Sequence, residues 1–403
     1  MRTAHVSTAL IILAGFAPLA ASAQQPKAKG QGAPASAAER SRQAEAAGLA
    51  EPFRGIATTA GIESGLFPIR ASGVTTEPVR VAATAFLKAL TDEQRKRTTY
   101  PVGDDEWRKW MNQHFYVRQG VSFLEMSEAQ RTAAFALMRA SLSAKGLQLS
   151  QDIMKLNHTL GELNNNDMVQ YGQWLYHITI MGEPSADKPW GWQIDGHHLI
   201  INYFVLRDQV VMSPTFVGSE PVTAHAGKFK GVTILQEEQA AGLAMLRALD
   251  PAQRKRAVLE VSKSGNHNLT EAWKDNVVLD YAGLPAAALT PAQREKLLKL
   301  AGLFIGNMDD GHARVKMAEV RAHLDRTHFA WIGGDADDSV FYFRIHSPVV
   351  LIEFDHQRPA NLRHLAKDPS APNREHIHVV IRTPNGNDYG KDLLRQHHAQ
   401  VRH

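Results

Sequence analysis

The chain of 403 residues contains no cysteine. That single absence excludes disulfides, thiolate metal ligands, a cysteine nucleophile and lipidation at an amino-terminal cysteine. Other chemistries are missing as well. There is no Walker loop, no dinucleotide-binding glycine pattern after a strand, no His-Glu-x-x-His and no Gly-x-Ser-x-Gly elbow, so no nucleotide cofactor is expected. A large charge imbalance is also lacking. Lys and Arg number 45 against 41 Asp and Glu, a net charge of +4. The basic residues are scattered, which argues against nucleic acid as a partner.

What is present begins with a short leader pattern. Arg2, an apolar or small-residue run over Val6–Leu19 and the small triplet Ala21-Ser22-Ala23 read as a signal peptide over 1–23. The run is too short and Ala-rich for a comfortable membrane span. Export to a periplasm or to the outside follows, with no stable membrane insertion after cleavage. Residues 24–50 are rich in Ala, Gln, Gly, Ser and Lys and read as a flexible linker. A protein of this size can be held by its core without disulfides.

After the linker a phrase recurs. Thr91 with Gln94, Ser127 with Gln130, Asp250 with Gln253 and Thr290 with Gln293 are four capping boxes, each opening a helix. Two carry proline at the first helical position, where its missing N–H costs nothing. The first and third boxes lie about 160 residues apart, as do the second and fourth. Strand-like runs repeat too: Trp192–Ile194 followed by Leu199–Tyr203 resembles Phe343–Ile345 followed by Val349–Phe354. The expected fold is α+β and internally duplicated, each half having helices first and then antiparallel strands, in mixed or antiparallel sheets. The halves are placed at 51–232 and 233–403 and packed as one unit.

The least generic stretch is Tyr176–Pro221, read as two or three strands with tight connections. His197 and His198 sit side by side within it. On a strand they would point to opposite faces, so one of them faces a given site; His198 is favoured because His197 directly follows Gly196, at a turn. A second cluster is His376-Ile-His378. Positions i and i+2 of a strand share a face, so both imidazoles can converge on one point. Imidazole nitrogens suit zinc, copper or iron, and a histidine of the first cluster could be the third ligand. The competing reading is a polar network of hydrogen-bonded histidines.

Carboxylates and cations lie near these clusters. Glu353 and Asp355 share a face of the strand that would correspond to Leu199–Tyr203. Glu353 is the candidate general base or fourth ligand, while Asp355 is read as a strand-end residue bonding solvent or arginine. Arg382 could hold an anionic substrate by bidentate contact, or it could instead pair with Asp388. Trp192, with Trp190 and Tyr203, could stack on a substrate, although large aromatics on strands usually belong to the core.

Pro189-Trp-Gly-Trp192, Gly196-His-His-Leu199, His376-Ile-His378 and the closing Asp388-Tyr-Gly390 with Asp392-Leu-Leu-Arg-Gln-His397 carry a resemblance. Together they are similar to the DUF3500 family over most of the chain after the linker. That family has no assigned reaction, so the resemblance implies no cofactor or active site. It marks the histidine clusters as the family's hallmark, here His197, His198, His376 and His378. His346-Ser347 departs from the family pattern, and His346 is left out of the site. The functional expectation is an exported metal-dependent enzyme, a hydrolase or oxidoreductase acting on a small molecule. The alternative is a non-catalytic metal- or ligand-binding protein using the same histidines.

Overall fold

The computed structural model describes residues 36–401. The expected signal peptide, and the linker as far as residue 35, lie outside the described residues. From Ala37 onward the chain forms one compact unit. Its helices are α1 (Ala37–Gly48), α2 (Glu77–Ala89), α3 (Asp92–Thr98), α4 (Glu128–Ser141), α5 (Ala144–Leu163) and α6 (Met168–Tyr171). In the second half they are α7 (Gln236–Arg247), α8 (Pro251–Ala257), α9 (Pro291–Ile305), α10 (Asp310–Ala322) and α11 (Lys391–Val401).

The strands of the first half are β1 (Thr99–Tyr100), β2 (Val121–Ser122), β3 (Tyr176–Met181), β4 (Trp190–Gly196), β5 (Leu199–Leu206), β6 (Gln209–Val211) and β7 (Thr215–Ser219). Those of the second are β8 (Val258–Glu260), β9 (Leu284–Pro285), β10 (His328–Gly333), β11 (Phe341–His346), β12 (Leu351–His356) and β13 (Ile377–Arg382). They join in one 13-stranded sheet with the order β1-β3-β4-β5-β7-β13-β12-β11-β10-β8. The sheet is mixed: β1–β3 and β8–β10 pair in parallel, the rest antiparallel. This is an α+β fold, as expected.

Helices form where the boxes place them. All four boxes are closed reciprocally, side chain to backbone in both directions. Within each half the two boxes also touch, and in the same way. Gln130 Nε2 donates to Gln94 Oε1 (2.7 Å) and to the Ala89 carbonyl (3.0 Å). Gln293 Nε2 donates to Gln253 Oε1 and to the Ala248 carbonyl, each at 2.8 Å. Strand order recurs as well, running inward to β7 from one edge and to β13 from the other. One expectation is corrected: residues 37–48 are helix, not linker. Val117 N–H donates to Ser41 Oγ (3.0 Å) and Tyr116 Oη to Glu45 Oε1 (2.9 Å), tertiary bonds that a compositional reading cannot foresee.

The alternation of strand side chains gives the sheet two unlike faces. One carries Trp192, Tyr203, Phe343 and Phe354, all fully buried, and packs on helices. Trp192 Nε1 donates to Ser141 Oγ at the end of α4, and Gly242 of α7 lies against the Phe343 ring. The other face is polar, bearing Asp195, Arg344, Glu353, Asp355, His378 and Arg382. Irregular segments cover it, with ion pairs Arg118–Asp195 (3.1 Å), Lys263–Asp355 (2.7 Å) and Arg108–Asp275–Arg382 (both contacts 2.9 Å). Buried charges persist only when paired in this manner. Among the described residues no helix is long and apolar enough to cross a membrane.

Candidate metal centre

The centre lies at the seam between the halves, where β7 and β13 pair. His197 and His198 are not strand residues. Gly196 pairs with Leu199, so the two histidines are the whole connection between β4 and β5. His198, the second of the two, takes the left-handed conformation at φ +61°, whereas His197 does not. The His198 carbonyl accepts the Gly218 N–H at 2.9 Å, tying the turn to β7.

Gly218 faces His378 across the β7–β13 pair. A Cβ there would come within 2.3 Å of the Ile377 carbonyl oxygen and would sit against the His198 and His378 rings. A side chain at 218 would therefore force the strands or the two imidazoles apart. His376 immediately precedes β13, and it shares a face with His378 as the i, i+2 rule requires.

Three Nε2 atoms converge. They are separated by 3.3 Å (His198–His376), 3.1 Å (His198–His378) and 3.0 Å (His376–His378). The residues are only 3–4 % exposed. Nitrogens bound to one tetrahedral zinc at 2.0–2.1 Å stand about 3.3 Å apart, so the spacing fits a shared metal. The cluster meets the geometric requirement for holding an ion.

The opposite ring nitrogens are already committed. His376 Nδ1 donates to the Arg358 carbonyl (2.7 Å), an acceptor only, which leaves the proton on Nδ1 and a lone pair on Nε2. His378 Nδ1 is 2.7 Å from Glu271 Oε1, and an ionised carboxylate there imposes the same tautomer. Two lone pairs then face each other at 3.0 Å, a repulsive contact that a shared cation would convert into two bonds. Burial first, and the neighbouring histidines second, push the pKa values of His198 and His378 well below the ordinary value, favouring the neutral, ligating form. Burial raises the Glu271 carboxyl to about 7, with His376 acting against the rise.

The structure brings together His198, His376 and His378 and leaves the other residues singled out in the sequence elsewhere. His197 turns from the cluster toward α5, with Nδ1 2.8 Å from Asn157 Oδ1. Glu353 is fully buried, its oxygens engaged by Leu269 N–H (2.9 Å), Thr270 N–H (3.0 Å), the Thr270 hydroxyl and Tyr342 Oη (2.7 Å). Four donors leave it poorly placed to accept a substrate proton.

Asp355 bonds Lys263 rather than solvent or arginine. Arg382 lies at the far end of β13, roughly 13 Å along the strand from His378. It is locked to Asp275 (2.9 Å) and Asp388 (3.1 Å) with no exposed surface, the alternative its sequence neighbours suggested. Trp192 sits on the helical face, stacked with Tyr203 at 5.9 Å. Glu271 was missed because it lies in an irregular segment 107 residues from its partner; no local pattern connects them.

Fold and cluster together define an α+β protein with a buried three-histidine centre of metal-ligand type. The family model described as a protein of unknown function, DUF3500, matches residues 72–391, and the chain belongs to that family. No curated protein and no solved structure matches it.

Proposed function

We propose that this is an exported metal-dependent enzyme whose transition metal is held by Nε2 of His198, His376 and His378. The observation that carries the reading is the 3.0–3.3 Å triangle of nitrogens whose partner atoms on His376 and His378 are already bonded outward. Three neutral imidazoles form the donor set of zinc sites that keep a position for water or substrate, and copper or iron accepts the same donors. When bound, such a metal would polarise a substrate oxygen or activate water, or carry out redox chemistry.

Polar groups beside the centre support a role beyond storage. The Asn112 carbonyl accepts the His198 N–H (3.4 Å), and the Asn112 side-chain Nδ2 is buried without a hydrogen-bond partner. Asn268, whose N–H reaches Asp355 at 3.3 Å, likewise has both side-chain polar atoms buried and unpartnered. Such groups are costly unless something polar meets them. Hydrolase or oxidoreductase activity on a small molecule is the favoured reading; metal or ligand binding without catalysis is the second. Export rests on the leader pattern of residues 1–23. The recurring boxes and strand order further support descent of the two halves from one duplicated unit.

Elemental mass spectrometry on untagged protein tests the centre. About one equivalent of a transition metal is expected in the native protein and in His197→Ala, and essentially none in a folded His376→Ala/His378→Ala variant. Native protein that contains no metal and takes none up on reconstitution refutes the proposal.

A further inference from the structure

One charge on the polar face of the sheet stands apart from the paired ones. Arg344 of β11 is only 4 % exposed, yet its Nε is buried with no hydrogen-bond partner. Among the described residues its guanidinium donates no hydrogen bond, and no carboxylate lies within ion-pair distance of it. A buried guanidinium left in this state is costly unless an anion meets it.

The nearby acids are occupied. Glu353, opposite Arg344 on β12, accepts four other donors from Leu269, Thr270 and Tyr342. Asp280, whose charge acts on His346, accepts the Thr59 N–H (2.8 Å) and hydroxyl (3.0 Å). On β10 the opposite residue is Ala330, which offers no polar side-chain group. The like place in the β4–β5 hairpin shows a satisfied pair. There Gln193 stands opposite Asn202, donating to its Oδ1 (2.7 Å) and to the Trp107 carbonyl (3.0 Å).

His346 lies two residues beyond Arg344 and shares its face. It is 2 % exposed, and its Nδ1 is likewise buried without a partner. Burial first, and the Arg344 charge second, push its pKa down to about 3. At neutral pH it therefore brings a hydrogen-bonding nitrogen and no second charge. The half-buried rings of Tyr281 and His328 stack at 5.1 Å, and Tyr281 lies 4.6 Å from the His346 ring.

We propose that Arg344 and His346 form a binding site for the carboxylate of a small monoanionic ligand. Arg344 Nε and one terminal nitrogen hold its two oxygens, and His346 Nδ1–H donates to one of them. The planar fork of arginine matches a carboxylate in this bidentate manner. One negative charge also balances one guanidinium, whereas a phosphate dianion would bury an excess charge. Tyr281 and His328 present apolar ring surface to the rest of the ligand. The site lies two strands from β13, about 12 Å from His378, and it needs no metal.

Saturation-transfer NMR with propanoate at pH 7, in competition with acetate, phosphate or chloride, tests the site. Native protein is expected to bind propanoate and to need at least about tenfold more phosphate or chloride than acetate for its displacement. Arg344→Gln places at 344 the residue type that β4 carries at 193, and it should abolish binding. Arg344→Lys keeps the charge without the fork and should weaken binding at least about tenfold. The His376→Ala/His378→Ala variant should bind as the native protein does. Absence of propanoate binding, displacement by phosphate or chloride as easily as by acetate, or undiminished binding in either folded Arg344 variant overturns the proposal. So does loss of binding in the histidine variant, which would place the carboxylate at the metal centre.

Discussion

Glu271→Gln is the sharpest probe of the metal centre, because it preserves shape while removing one charge. Glu271 Oε1 stands 2.7 Å from His378 Nδ1 and fixes which nitrogen carries the proton. A glutamine oxygen can still accept that proton, so the ring need not move. What is lost is the carboxylate's field, acting across one imidazole ring on the cation. The Glu271 side chain retains 28 % of its exposure, so the interaction is partly screened. At roughly 6 Å and an effective dielectric constant of about 40, a divalent ion loses about 2.8 kcal/mol of attraction at most. Relaxation and solvent reduce this toward the 10–100-fold affinity loss typical of such partners, about 1.4–2.7 kcal/mol. Competition for Zn²⁺ against a chromophoric chelator, with circular dichroism confirming the fold, measures the change. A folded variant whose zinc affinity stays within about threefold of native would refute the argument that Glu271 tunes the centre.

Two further predictions concern the frame around it. Lys263 and Asp355 form a pair with neither side chain exposed, so Lys263→Met leaves an uncompensated buried carboxylate and should cost about 3–5 kcal/mol in urea unfolding; a cost below about 1 kcal/mol would mean that water reaches Asp355. His356 is buried against Phe341 and Gln239, and burial pushes its pKa down from 6.5 to about 3. Above 6.5 it is neutral in both states; as pH falls below that, the unfolded chain is protonated first and native stability is lost. His356→Gln should therefore shrink the stability difference between pH 7 and pH 5 by about 2 kcal/mol, read from paired denaturation curves, and an undiminished difference would contradict the depressed pKa.

Much of this arrangement was legible in the sequence, for identifiable reasons. Capping boxes are local, and all four form. The His376-x-His378 spacing is a period-two pattern, and the two rings do share a face. His198 rather than His197 faces the His376–His378 pair, and a turn begins after Gly196. That turn holds both histidines, which is why alternation along a strand did not apply to them. Arg382 and Trp192 show the opposite outcome. Their residue types suit substrate contact, but their environments depend on Asp275 and Ser141, each more than 50 residues away in the chain. No periodicity reports such pairings.

Glu353 and Asp355 form a more instructive case, because Asp355 pairs with His378 across the sheet and both carboxylates are engaged by backbone amides. Asp355 accepts His267 N–H (2.6 Å) and Asn268 N–H (3.3 Å); Glu353 accepts the N–H groups of the next two residues, Leu269 and Thr270. Two carboxylates on one face of β12 thus hold four successive backbone amides. The following residue in the chain is Glu271, which reaches His378. A segment without secondary structure is thereby fixed tightly enough to present a carboxylate 2.7 Å from a ring nitrogen. The polar face of the sheet is accordingly explained without assigning each charge a chemical step. Its buried acids and bases anchor irregular segments, and those segments complete a centre whose three histidines come from the two halves of the chain.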